Sequence, residues 1–138
     1  MDADLKREII LDNYSNPFHK ESKEDYLKAN ANNVSCIDNI NIYVKIEDGK
    51  IIDAAFDGEA CAISTASSSI MVKNIIGMTL EEAKEYIKNF DNMIYEKDYE
   101  KDKMGEALVF DDICKQESRK TCATLAYRGL EKIIDKEK

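Results

Sequence analysis

The stretch that most constrains this chain is NINIYVKIEDGKIIDAAF, residues 39–56. Ile40, Ile42, Val44 and Ile46 alternate with polar or aromatic residues, the period of a strand with one buried face. Glu47-Asp48-Gly49-Lys50 carries the Asp-Gly pair that suits a two-residue hairpin turn. Ile52, Ala54 and Phe56 continue the alternation on the return strand. An antiparallel hairpin puts its two open ends at the same edge of a sheet. Cys36 and Asp38 precede the outgoing strand and Cys61 follows the returning one, so the hairpin makes these residues neighbours.

Cys61 lies within GEACAISTASSSIM, residues 58–71, where a new helix begins. Ile63, Ala66, Ile70 and Met71 recur at helical spacing, and Ala and Ser fill most other positions, which allows close packing. A cysteine at a helix amino terminus faces unpaired N–H groups and the positive end of the dipole, which favour thiolate over thiol. The last helix is expected from about Arg119, with Cys122, Leu125, Ala126, Gly129, Leu130 and Ile133 on one stripe. Cys122 is then expected to point inward from the first turn, also beside free N–H groups. Cys36, Asp38, Cys61 and Cys122 thus have a reason to converge. Three thiolates and a carboxylate suit a tetrahedral zinc ion or the iron of an iron–sulfur cluster.

The remaining segments complete an α+β reading: a small antiparallel sheet of about three strands packed against several helices, with residues 1–138 as a single domain. DLKREIILDNY, residues 4–14, predicts a helix with Leu5, Ile9, Ile10 and Tyr14 on its apolar side. The helix stops at Ser15-Asn16-Pro17, since the residue before a proline is pushed out of the helical region. Residues 18–33 are polar and predict a loop with at most one helical turn, leaving His19 exposed and without a metal role. Thr79 and Glu82 form a capping box before a helix that carries Leu80, Ala83, Ile87, Phe90 and Ile94 on one face. Residues 95–110, charged and interrupted by Gly105, predict a surface excursion. Ala107, Phe110 and Cys114 can share a face of a short helix, which makes Cys114 a packing residue rather than a ligand.

The balance of 28 acidic against 20 basic residues, a net charge of -8, argues against nucleic acid as a partner. The apolar runs are too short to span a membrane. The charged amino terminus MDADLKREII does not read as a secretory signal, which points to a cytoplasmic protein. In a reducing compartment, four cysteines read as metal or catalytic thiols before they read as disulfides.

REIILDNYSNP, Cys36-Ile37-Asp38, GEACAISTASSSIM and CATLAYRGLEK together resemble the U-type iron–sulfur cluster assembly proteins: SufU, IscU and the amino-terminal domain of NifU. The resemblance covers nearly the whole chain and implies a SufE/NifU-like fold. Within that family the chain looks SufU-like. Thr121 stands where IscU-like members carry His, residues 97–112 fill an insertion of the SufU type, and Arg119 matches an arginine of that type. The chain also departs from the pattern. Ile37 and Ala60 replace family glycines, and Thr121 stands where SufU-like members have Lys. A branched Ile resists the positive φ that glycine takes freely, so Ile37 raises the question of whether the first loop is altered.

The resemblance implies a zinc held by Cys36, Asp38, Cys61 and Cys122, with Cys36 as sulfur acceptor and Arg119 in support. The sulfur donor it implies is the persulfide of a PLP-dependent cysteine desulfurase of the SufS type. A histidine of that partner displaces one cysteine from the metal, and the sulfur passes on to a downstream scaffold or acceptor. The alternative is a scaffold that builds a [2Fe–2S] cluster, or holds iron, on the same ligands. A structural zinc without sulfur chemistry fits less well, because such sites are closed Cys/His sets with local spacing.

Overall fold

The computed structural model describes residues 2–33 and 37–137, with the backbone but not the side chain of Cys114. Strands β1 (Leu27–Asn32), β2 (Asn39–Glu47) and β3 (Lys50–Glu59) form an antiparallel sheet in that order. Helix α1 (Ala3–Ser15) precedes the sheet, and α2 (Ala62–Ile75), α3 (Leu80–Ile94) and α4 (Glu117–Lys136) follow it. Three short 3₁₀ turns, Lys101–Lys103, Gly105–Phe110 and Ile113–Lys115, connect α3 to α4. The architecture is α+β, as expected. Among the described residues, no helix is long and apolar enough to cross a membrane.

The hairpin turn has Asp48 and Gly49 at φ 52° and 74°, both positive, which matches the twist of the strands it joins. Ile40, Ile42 and Val44 are fully buried from β2. The return strand differs from the simple alternation. Lys45 pairs with Asp53 and Ile46 with Ile51, so Ile52 is an extra residue opposite no partner. This bulge reverses the face of everything on its turn side. Ile51 is therefore buried and Ile52 is 39% exposed, while Ala54 and Phe56 keep the inward face.

The expected loop at residues 18–33 contains β1. Its inward residues are Ala29 and Ala31, set between exposed Lys and Asn, so the alternation carries little hydrophobic contrast. The small side chains have a packing reason. Helix α4 crosses so closely that a Cβ on Gly129 would lie 2.8 Å from Ile42 Cγ1 and 3.8 Å from Ala31 Cβ. His19 is also not a free loop residue. Its ring stacks on Phe18 at 3.9 Å, its Nδ1 lies 3.0 Å from the Ala54 carbonyl, and its own carbonyl accepts the Phe56 N–H at 3.1 Å.

The apolar face of α1 is rotated from the expected one. Ile9 and Ile10 pack on the core, but Leu5 and Tyr14 are exposed and Asn13 is buried. Asn13 Oδ1 accepts the Ser69 hydroxyl at 2.7 Å, and its Nδ2 donates to the Ile9 carbonyl at 2.9 Å. α2 itself is buried on nearly every side from Ser64 to Val72. Its serines remain compatible with the interior because each hydroxyl finds an acceptor: Ser67 the Ala123 carbonyl, Ser68 the Ser64 carbonyl.

The connection from α3 to α4 is not a solvated excursion. Met104, Ala107, Phe110 and Ile113 are buried at a spacing of three, the repeat of a 3₁₀ helix, and they close the core over α2 and α3. The Thr79–Glu82 capping box forms as expected.

Candidate metal centre

The end of the sheet opposite the hairpin turn builds the centre. Asn39 at the start of β2 pairs with Glu59 at the end of β3, so Asp38 and Ala60 leave the sheet side by side. Gly58 permits this closeness. Its φ is 111°, and a Cβ there would collide with the Asn39 carbonyl oxygen. Cys61 is then the N-cap of α2, and its Sγ accepts the Ser64 N–H at 3.5 Å. α4 supplies Cys122 from across the core. One ligand atom from each of Asp38, Cys61 and Cys122 lies within 4.8 Å of the others.

Asp38 is 1% exposed and firmly anchored. Its Oδ1 accepts the Cys61 N–H at 2.7 Å and its Oδ2 accepts the Ser64 hydroxyl at 2.7 Å. The Cys61 thiol lies 3.6 Å from Oδ2. Burial pushes the carboxyl pKa up, but the Cys61 N–H, the Ser64 hydroxyl and the two thiols outweigh it and leave Asp38 more acidic than an ordinary aspartate. Cys122 behaves in the opposite sense. Burial, together with Cys61 and Asp38 beside it, pushes its thiol up to about 12.

That direction corrects the expectation of a thiol beside free helical N–H groups. α4 begins at Glu117, so Cys122 falls in the second turn, and its Sγ faces the Ser118 carbonyl at 3.9 Å. Without the helix dipole to assist, a buried thiol beside a carboxylate keeps its proton. A divalent cation reverses this balance by its own charge.

The donor set fits zinc. Bonds of about 2.3 Å to sulfur and about 2.0 Å to oxygen in a tetrahedron separate S from O by roughly 3.5 Å. Cys61 Sγ and Asp38 Oδ2 lie 3.6 Å apart. Asp38, Cys61 and Cys122 could therefore hold the ion together.

Of the other residues singled out in the sequence, Cys36 lies outside the described residues, as does the side chain of Cys114. Arg119 is exposed on the first turn of α4. His19 is not part of the Asp38–Cys61–Cys122 group. Ile37 is 68% exposed, so its branched side chain takes no part in the core. Ser64 is the residue that sequence reasoning missed. Its position three residues after an N-cap cysteine was the available signal, masked by the many serines around it.

Residues 5–135 match the family model of the NifU-like N-terminal domain. The zinc-dependent sulfurtransferase SufU of Bacillus subtilis is 36% identical over 134 residues, covering 96% of this chain and 91% of that protein. The iron–sulfur cluster assembly scaffold protein IscU of Thermotoga maritima is 34% identical over 131 residues, 94% of this chain and 92% of its own. Among solved structures, a Fervidobacterium islandicum protein described as an iron–sulfur cluster assembly scaffold for the SUF system matches with a TM-score of 0.88. Its identity is 33%, over 92% of this chain and 94% of that one. With a family model spanning nearly the whole chain, and relatives above 30% identity along nearly all of it, the chain belongs to the NifU-like N-terminal domain family, alongside SufU and IscU.

Proposed function

We propose that the protein serves iron–sulfur cluster assembly as a zinc-dependent sulfurtransferase, accepting sulfur from the persulfide of a PLP-dependent cysteine desulfurase. The observation that carries this reading is the convergence of the Asp38 carboxylate and the Cys61 and Cys122 thiols within 4.8 Å. Asp38, Cys61 and Cys122 would hold zinc, with Cys36 as the fourth ligand. Bound there, zinc keeps its cysteine ligands deprotonated at neutral pH.

The chain's own residues then divide the work. Asp38, ionised and held by two donors, is a fixed ligand. Cys61 is held at the cap of α2 and Cys122 inside the second turn of α4. In the sequence Cys36 stands between β1 and β2, outside both helices, and it would be the thiol that accepts the sulfur. Its thiolate attacks the outer sulfur of the desulfurase persulfide. A bond forms between Cys36 Sγ and that sulfur, the partner's S–S bond breaks, and the partner's cysteine leaves as a thiolate. The exchange conserves electrons and needs no external oxidant. Arg119, exposed on the first turn of α4, can offset the charge of the released thiolate. PLP belongs to the desulfurase, a SufS-like partner, and the persulfide passes to a downstream scaffold or acceptor in a reducing cytoplasm.

The similarity to IscU scaffolds favours a second reading, assembly and transfer of a [2Fe–2S] cluster on the same residues. One experiment tests both. Anaerobically purified protein is analysed for metal, incubated with desulfurase and cysteine, and mapped by mass spectrometry. We expect one zinc per chain and a single added sulfur on Cys36, absent in Cys36→Ala, which stays folded. A persulfide on Cys61 or Cys122 with Cys36 bare overturns the mechanism. A [2Fe–2S] spectrum that passes to an acceptor, without any gain in desulfurase turnover, selects the scaffold.

A further inference from the structure

We infer that Ser64 is a positioning residue of the metal centre, holding the Asp38 carboxylate in the orientation that the ion requires. The inference rests on reading Asp38, Cys61 and Cys122 as metal ligands. Ser64 is the third residue of α2 and is fully buried. It touches Asp38, Cys61 and Cys122 alike. Its N–H donates to Cys61 Sγ at 3.5 Å, and its hydroxyl lies 2.7 Å from Asp38 Oδ2 and 2.9 Å from the Cys122 carbonyl.

A hydroxyl has one proton and cannot serve both acceptors fully. The Cys122 carbonyl sits inside α4, where an N–H four residues on satisfies it. The carboxylate is charged and gains more from the donor. The proton therefore belongs to Asp38. With Cys61 N–H on Oδ1 and Ser64 on Oδ2, the first turn of α2 grips both oxygens and fixes the carboxylate plane, leaving lone pairs free on each. Without Ser64 the group keeps one anchor and can turn about its last torsion, and a buried charged oxygen loses its donor.

Ser64 differs in this from its neighbours. The Ser67, Ser68 and Ser69 hydroxyls go to the Ala123 carbonyl, the Ser64 carbonyl and Asn13 Oδ1, none of them a ligand atom. Ser68→Ala is thus a matched control, deleting a fully buried hydroxyl of the same helix.

The test is Zn²⁺ affinity, measured by competition with a chromophoric chelator on the reduced full chain, beside thermal melts of the metal-free proteins. We expect Ser64→Ala to weaken Zn²⁺ binding by about ten- to a hundredfold, as loss of a partner that orients a ligand typically does. Ser68→Ala should leave affinity within about twofold while lowering the metal-free melting temperature at least as much. Ser64→Thr, which keeps the hydroxyl, should recover most of the affinity. In an Asp38→Ala background, Ser64→Ala should add no further loss. Equal affinities for wild type and Ser64→Ala, or an undiminished Ser64→Ala effect without Asp38, overturn the role of Ser64. A wild-type protein that takes up no Zn²⁺ overturns the centre itself.

Discussion

At the scale of single residues, Asp38 and Cys122 show how one buried site pushes two acids in opposite directions. Asp38 has donors aimed at both oxygens and stays ionised, whereas Cys122 has a carboxylate and a second thiol for neighbours and keeps its proton. A consequence can be measured in the reduced, metal-free protein. Alkylation needs thiolate, and a thiol pushed up to about 12 has little at neutral pH, even after allowing for the greater nucleophilicity of its thiolate. Iodoacetamide at pH 7.5, followed by peptide mapping, should modify Cys122 more than about tenfold more slowly in the folded chain than in urea. Equal rates in the two conditions would show that the thiol is neither shielded nor perturbed. The placement of Asp38 and Cys61 was legible from the hairpin alone, because antiparallel pairing obliges its open ends to meet. The environment of Cys122 was not, since a start two residues earlier moves it from a helix end into an interior turn. Ser64 was illegible for a related reason. Which of several serines meets a carboxylate is decided by the packing of α2 on a strand end 26 residues away, not by local pattern.

At the scale of elements, α3 and α4 meet through aromatic rings. Tyr127 stacks on Phe90 at 3.9 Å, and its hydroxyl shares a 2.7 Å hydrogen bond with that of Tyr86, which also accepts from Asn74 Nδ2 at 3.0 Å. Burial pushes Tyr86 up to about 12, against the hydrogen bonds from Tyr127 and Asn74, and pushes Tyr127 upward too. The folded pKa lies above the unfolded value of about 10, so this contribution is complete below pH 10 and is lost as pH rises toward 12. Thermal melts of the wild type should therefore fall steeply between about pH 10 and 12, and Tyr86→Phe should flatten part of that slope. At neutral pH the variant should lose about 1–3 kcal/mol, since Asn74 and Tyr127 are left without their partner. An unchanged slope would remove the tyrosine pair from alkaline unfolding. Elements with strong periodicity, the hairpin and the capped α3, were readable in advance. β1 was not, because Ala29 and Ala31 are small where α4 approaches closely. The 3₁₀ segment hid its buried face because Met104, Ala107, Phe110 and Ile113 repeat at three, a period that neither a strand nor an α-helix template detects.

At the scale of the whole molecule, the candidate centre is a cross-link. Asp38 ends the connection between β1 and β2, Cys61 begins α2, and Cys122 belongs to α4, so one ion would tie the sheet's open edge to two helices. These segments are far apart in sequence, and a link between distant positions removes more freedom from the unfolded chain than a local one. The packed apolar cluster is built from residues other than Asp38, Cys61 and Cys122. Phe56, Met71, Phe90, Phe110 and Tyr127 are buried and continuous through the middle of the molecule. Metal removal should therefore leave a folded protein of lower stability rather than an unfolded chain. Zinc at a hundredfold excess over its Kd contributes about 2.7 kcal/mol, which for a domain of this size moves the melting temperature by on the order of 10 °C. We expect chelator-treated protein to keep its far-ultraviolet circular dichroism, to melt lower by about that amount, and to recover on adding zinc back. Cys122→Ser should melt at one temperature with or without zinc, because the ion can no longer reach α4. Loss of all helical signal on chelation would mean that the metal, and not the apolar core, organises the fold. A melting temperature indifferent to zinc in the wild type would mean that the three ligands do not act as a clamp.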